Sequence, residues 1–280
     1  MDYKTILVHM DRSPRRSERL AIGLRLAEAF NAHLVGLYAL SSLRIPSYAL
    51  SASAEALLEA ADQDRNRSLE EAKAAFESAC QRALGVAAEW RSSDEDALEA
   101  VLVSARYSDL VIIGQHDPYA DQDSGTQQRF VEELAVTANR PLLLVPYAGH
   151  FTNSFKKVLI AWNASRQAQR AVNAALPLLQ RAEEVRVAVF DPEKRDADHG
   201  EVPGADLALH LARHSVKALV TEQGSPNGDV GCGILSRAAD FGSELIVMGA
   251  YSHSRARERI LGGATRTLLD SMTVPVLMSH

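Results

Sequence analysis

The sequence predicts an α/β protein made of two doubly wound units in tandem, each with a five-stranded, mostly parallel sheet. Two observations lead there: the chain repeats itself, and in both copies unbroken apolar runs alternate with segments of helical spacing. Lys4–Ser13 (KTILVHMDRS) lies over Lys156–Ser165 (KKVLIAWNAS), an offset of 152. Asp109–Gly114 (DLVIIG) lies over Glu244–Gly249 (ELIVMG) at an offset of 135, and Arg140–Val145 over Val274–Ser279 at 134. The first copy therefore holds about 17 extra residues, assigned to Ile45–Glu71. Self-similarity on this scale marks a duplicated structural unit.

Ile6–Met10 is a continuous apolar run, the pattern of a strand covered on both faces. Ser17–Phe30 has helical spacing, with Leu20, Leu24, Leu26 and Ala27 on one broad face, and Ser13-Pro14 is read as its N-cap and first position. Leu34–Leu40 is the next strand. Ala54–Leu84 is a long helix stopped by Gly85. Val86–Trp90 is a strand, and Asp94–Tyr107 a helix capped by Ser92 or Ser93 with acids in its first turn. Strand Leu110–Ile113, helix Phe130–Ala138 and strand Leu142–Val145 close the first copy. The second places strands at Val158–Ala161, Val185–Phe190, Val216–Val220, Leu245–Met248 and Val274–Met278. Its helices are Arg166–Ala182, Ala205–His214, Val230–Phe241 and Ala264–Met272. Five strands alternating with four helices make each copy Rossmann-like. Residues 146–154 are the linker, giving domains 1–147 and 155–280.

Composition narrows the function classes. The formal net charge of −6 supplies no basic footprint for nucleic acid. Cys80 and Cys232 match no metal-ligand or CxxC spacing, which points to a reducing compartment. The first 13 residues lack the pattern of a signal peptide, and no apolar run approaches the ~20 residues of a membrane span. The expectation is a cytoplasmic protein without membrane or nucleic-acid partners.

In doubly wound sheets ligands bind at the carboxyl ends of the strands, where the strand order reverses. That rule makes Asp11 and Gly114 the walls of one crevice, and Asn163 and Gly249 the walls of its counterpart. After Gly249 the chain reads AYSHSRARERILGGATRTLL, basic and rich in hydroxyls, with Glu258 the one acid before Asp270. It has the makings of an anion loop; the plain alternative is a structural loop whose Gly262-Gly263 start a helix.

A first strand ending in VHMDRS, a fourth ending in apolar-Gly and a closing PVLM strand resemble the universal stress protein family, and two such units resemble a tandem member. The resemblance implies adenine-nucleotide binding (ATP, with or without Mg2+) through a loop G-x2-G-x9-G-[S/T], an acid at the end of the first strand and a later hydroxyl. In the second copy Gly249, Gly262 and Thr265 fit; Ser252, Gly263 and Asn163 stand where Gly, Ser/Thr and the acid are expected. The implied nucleotide set is Asn163, Val189, Met248, Gly249, Ser252, Gly262, Gly263 and Thr265, with Arg255, Arg257 and Arg259 as further phosphate contacts. The first copy keeps Asp11 and Gly114 as a vestigial site. There Asp117 replaces the second glycine, Gln127-Gln128 replace the Gly-[S/T] pair, and Asp121 and Asp123 add charge that opposes a triphosphate.

The resemblance implies a non-catalytic sensing module with protein contacts as its output, in an internal pseudo-dimer or a homodimer. A slow ATP hydrolase is the enzymatic alternative, although Glu258 and Asp270 supply no convincing base. A scaffold that binds no nucleotide is the third reading. The remaining polar residues are given structural roles: His9 a core histidine, Arg12, Arg15, Arg16 and Arg19 a solvated face, His210 and His214 a polar helix face, and Cys232 a small buried residue. Neither His199 nor His253 gains a partner at a catalytic spacing.

Overall fold

In the computed structural model the ten strands found among the described residues form a single sheet. The structure describes residues 2–40, 52–83, 85–120, 126–151, 154–190, 204–223, 228–250 and 262–280. Strands β1 (Thr5–Met10), β2 (His33–Tyr38), β3 (Ala88–Ser92), β4 (Leu110–Gly114) and β5 (Leu142–Val145) belong to the first half. Strands β6 (Lys157–Trp162), β7 (Glu184–Phe190), β8 (Ala218–Gln223), β9 (Leu245–Gly249) and β10 (Val276–Ser279) belong to the second. Their spatial order is β3-β2-β1-β4-β5-β10-β9-β6-β7-β8. Each half is an all-parallel five-stranded sheet, as expected. The two join edge to edge through one antiparallel pair, with Leu142, Leu143 and Leu144 against Met278, Leu277 and Val276.

The helices are α1 (Arg16–Phe30), α2 (Ala52–Arg82), α3 (Ala97–Ala105), α4 (Gln128–Thr137), α5 (Arg166–Leu179), α6 (Ala205–Arg213), α7 (Val230–Phe241) and α8 (Gly263–Ser271). Side chains from α1, α2, α5 and α6 form one core on one sheet face, and those from α3, α4, α7 and α8 form another on the opposite face. Successive strand residues divide between them, Ile6, Val8 and Met10 to the first and Leu7 to the second, the period of two that a doubly covered strand must show. Each core runs through both halves without interruption. Among the described residues no helix is long and apolar enough to cross a membrane.

The extra length of the first copy appears as α2, 31 residues against 9 in its counterpart α6. Gly85, at φ +95°, takes up the left-handed backbone just past the end of α2 that a residue with a Cβ adopts only under strain. Several boundaries move from their expected places. Helix α3 begins at Ala97 because Asp96 caps it, its carboxylate accepting from the Leu98 amide at 3.0 Å, while Ser93 Oγ accepts from Glu95 in the preceding turn. Ser13 does not cap α1: its hydroxyl accepts from Arg15 N at 3.1 Å in an additional turn, and the helix starts at Arg16. The equivalent Ser165 does cap α5, accepting from Ala168 N at 3.1 Å. Helix α5 ends at Leu179, within a turn of Pro177, whose ring nitrogen has no hydrogen to offer the carbonyl four residues back. Strands β3 and β8 start two residues later than the apolar pattern suggests.

Contacts across the seam support the shared cores. The Tyr3 hydroxyl donates to Ala174 O at 2.6 Å, and the Arg181 guanidinium stacks 4.3 Å from the Phe30 ring centroid. The chain has two tryptophans, Trp90 in the first half and Trp162 in the second. Because both cores are continuous, the halves should unfold together. Single-tryptophan variants Trp90→Phe and Trp162→Phe are expected to give coincident urea midpoints by fluorescence; two separated midpoints would show that the seam does not couple the halves.

Candidate functional site

The carboxyl ends of the strands carry two crevices, and the residues filling them differ. In the first half Asp11 directly follows β1 and is 3% exposed. Its Oδ1 is ion-paired with Arg19 and accepts from Ser13 N at 2.9 Å, and its Oδ2 accepts from Thr126 Oγ1 at 2.7 Å. Burial opposes charge on Asp11, but Arg19, then His9 and the Thr126 hydrogen bond, outweigh it and hold the carboxyl below its ordinary range. Arg19 itself is 1% exposed. Its guanidinium lies on Gly114, where the Cβ of any other residue would collide with Nη1.

The vestigial crevice is therefore filled by a side chain of this protein: the acid expected to meet a nucleoside is already paired. The arginine run is not a solvated face. Arg19 is buried, Arg12 pairs with Asp64 at 3.0 Å, Arg16 lies 3.8 Å from Glu71, and Arg15 donates to Gly149 O. The spacing from Asp11 to Arg19, eight residues across a turn and into a helix, was the available sequence signal. Asp117 accepts from Tyr119 N at 2.9 Å, and Gln127 and Gln128 begin α4, Gln127 making no side-chain cap. His9 is a core histidine as expected, its Nε2 2.8 Å from Ala39 O, although Nδ1 has no hydrogen-bond partner among the described residues. Burial first, offset by Asp11, keeps His9 below its ordinary pKa.

In the second half Ala171 stands where the repeat places Arg19, so α5 supplies no buried guanidinium at that position. The register puts Trp162 beside Val189, and Ala161 beside Met248, so that Asn163 emerges next to the ends of β7 and β9. Asn163 is half-buried, and its Oδ1 accepts from Ser165 Oγ at 2.6 Å and Ser165 N at 3.2 Å. Val189 and Met248 are core side chains, 0% and 5% exposed, and can present only main chain to a ligand. A Cβ on Gly249 would strike the backbone of Gln167 and Ala168, so packing of α5 on β9 already demands glycine there.

Gly262 and Gly263 are different. Gly262 precedes α8 with φ −60°, ordinary for any residue, and no atom of the described residues lies within 4 Å of where either Cβ would stand. Among the described residues neither strain nor packing accounts for this pair. Helix α8 has no side-chain cap and no acid in its first turn, and α5 likewise has no acid in its first turn, so both N-termini keep the partial positive charge that favours an anion. Thr265 is buried in the first turn of α8. Ser252 lies outside the described residues, with His253, Arg255, Arg257, Glu258 and Arg259 of the same loop; so do Asp121, Asp123 and His199.

Cys232 is exposed rather than buried, and its thiol is pushed up by the Asp229 carboxylate that caps α7, not lowered by the helix. Among the described residues no group of three or more His, Cys, Asp or Glu could hold a metal ion. Asp270 is engaged by Arg266 at 3.9 Å and Gln128 at 3.4 Å.

Arg19→Ala would strand Asp11 as an unpaired buried charge and should cost about 3–5 kcal/mol of stability by urea denaturation. The folded-state pKa values of His9 and Asp11 are both lowered. Each contributes stability that is complete above its ordinary pKa and lost as pH falls, below 6.5 for His9 and below 3.8 for Asp11. Between about pH 7.5 and pH 5.5 the wild-type protein should lose stability more steeply than His9→Gln. Parallel stability profiles for the two would remove His9 from the account.

The profile of the Universal stress protein family matches residues 154–280. No curated protein is similar enough in sequence to match. A universal stress protein from Archaeoglobus fulgidus DSM 4304 aligns over 98% of this chain and 94% of its own, at 15% identity and a TM-score of 0.69. A protein of unknown function from Pseudomonas aeruginosa PAO1 aligns over 98% and 92%, at 15% identity and a TM-score of 0.57. A shorter Burkholderia pseudomallei protein of the universal stress protein family aligns over 51% of this chain and 96% of its own, at 28% identity and a TM-score of 0.36. Residues 154–280 are thus a domain of the universal stress protein family, joined in one sheet to an N-terminal half of the same α/β architecture.

Proposed function

We propose that this chain is a tandem universal stress protein that senses an adenine nucleotide, ATP or a close relative, in its C-terminal half. In this reading the domains are 1–147 and 155–280, and the N-terminal domain is a scaffold. The ligand set is Asn163, main chain of Val189, Met248 and Gly249, Ser252, Gly262, Gly263 and Thr265. The observation that carries the reading is Gly262-Gly263, two glycines for which the described residues show no conformational or packing need, at a helix N-terminus whose cap residue, Gly262, has no side chain. Glycine at such a place lets main-chain N–H groups come within hydrogen-bond distance of a phosphate. In this reading Asn163, which directly follows β6, meets a ribose hydroxyl with its amide group.

No reaction is assigned. The binding reading stands ahead of a hydrolase because neither Asp270, engaged in α8, nor any other described group is placed as a base. The output is contact with a protein partner, and the internal β5–β10 pairing lets one chain present the arrangement of a dimer. The protein is taken to act in the cytoplasm.

Calorimetric titration with ATP, ADP and AMP tests the reading. Binding is expected, weakened about tenfold or more in Gly263→Asp (1.4 kcal/mol or more) and unchanged in Asp117→Gly. An acid in the first turn of α8 favours the helix dipole, so lost binding in Gly263→Asp would not come from a lost helix. No heat and no thermal shift at millimolar nucleotide would leave the scaffold reading; weakening by Asp117→Gly alone would move the site to the first half.

A further inference from the structure

We propose that Gln115 of the N-terminal half is a positioning residue for the ligand site of the C-terminal half, holding α8 along its axis so that the Gly262-Gly263 end is correctly placed. The proposal rests on the nucleotide reading above and adds the regulation of that site across the seam.

Gln115 follows Gly114 and is 4% exposed. Two bonds anchor it in its own half: its backbone N donates to Val145 O at 2.8 Å, and its Oε1 accepts from Tyr147 N at 3.2 Å. Its Nε2 crosses the seam and donates to Leu269 O at 2.8 Å. Leu269 is in the last turn of α8, where the carbonyls have no partner farther along the helix. Leu268 O is satisfied by Met272 N at 2.9 Å; Leu269 O is satisfied by the other half of the molecule.

Other contacts of α8 are made by side chains: the close approach of Gly231 to Thr267 sets its distance from α7, and the exposed Asp270 accepts from Gln128 Nε2 of α4 at a long 3.4 Å. The amide of Gln115 is thus a direct hold on its axial position. Nine residues at about 1.5 Å each span about 13 Å, and a packed helix of that length moves as a body. An axial slip of about 1 Å would take its first amides out of hydrogen-bond range of a phosphate. The link runs one way: the repeat places Ala250 at the position of Gln115, with the same backbone bond to β10 (Ala250 N to Ser279 O, 2.9 Å) and no side chain to reach α4. On the other side, Gln115 adjoins His116, whose Nδ1 lies 3.0 Å from Thr126 O, and Thr126 donates to Asp11. A chain of contacts, Asp11 to Thr126 to His116 and its neighbour Gln115, thus leads from the filled first crevice to α8.

The test uses the full chain and two variants. Gln115→Met keeps the side-chain length and removes both side-chain hydrogen bonds. Leu143→Ala weakens the seam from the opposite sheet face, away from α8. Gln115→Met should bind ATP about fivefold or more weakly and exchange the amides of residues 266–272 about tenfold faster, while Leu143→Ala should keep ATP affinity within about twofold. If Gln115→Met binds ATP like wild type, or Leu143→Ala loses affinity equally, the proposal is overturned although nucleotide binding stands. If the wild-type chain takes no ATP, the nucleotide reading falls, and amide exchange still decides: unchanged exchange in Gln115→Met overturns the positioning role, and faster exchange confined to α8 supports it.

Discussion

The antiparallel pairing of β5 with β10 is the constraint on which the rest of the molecule depends. Each half ends its parallel sheet in a four-residue strand, Leu142–Val145 or Val276–Ser279. Left alone, each would expose a row of unpaired amides and carbonyls beside an apolar surface. Pairing them removes both edges at once and brings Leu143 and Leu277 into full burial. The join makes two cores continuous instead of leaving four separate ones, and it brings α8 within reach of Gln115 and α5 within reach of Tyr3. The linker needs only to let the second unit turn back on the first.

Within this repeated frame the two crevices differ in the residues that their helices bring to them. Asp11 and Asn163 each follow the first strand of their half, and each is followed two residues later by a serine whose amide its side-chain oxygen accepts. The difference lies one to two turns into the following helix. Arg19 turns back into the first crevice and satisfies the carboxylate; the second half has Ala171 at the equivalent position. A carboxylate this deeply buried needs a cation, and this half supplies its own. Arg19 gains a rigid ion pair at the cost of the space a ligand would use.

Much of this was legible in the sequence. Unbroken apolar runs located the strands, because a strand covered on both faces has no position for a polar side chain. The repeat supplied the topology of each half. The merging of the sheets was not legible: a run such as LLLV reads the same whether its outer edge meets solvent or another strand. Cap choice also escaped the pattern, since Ser93 and Asp96 both accept from amides and only the backbone path chooses between them. Arg19 was misread because the pattern treats a charge as solvated unless its partner is close in sequence. Cys232 was misread the other way, its thiol sharing the first turn of α7 with the capping Asp229. For the C-terminal crevice the sequence supplied Gly249, Gly262 and Gly263 alike; the structure separates the first, required by α5, from the other two.

The arginine in the first crevice has a consequence for how the molecule can respond. A duplicated protein with two open, coupled sites could answer a ligand along a sigmoid, one occupancy easing the next. With the first crevice taken by a tethered cation, the proposed reading leaves one ligand site per chain. On that reading the titration of a single chain follows a simple hyperbola, graded over roughly two decades of concentration and without a threshold. Such a chain would report how much ligand is present rather than whether a set point has been passed.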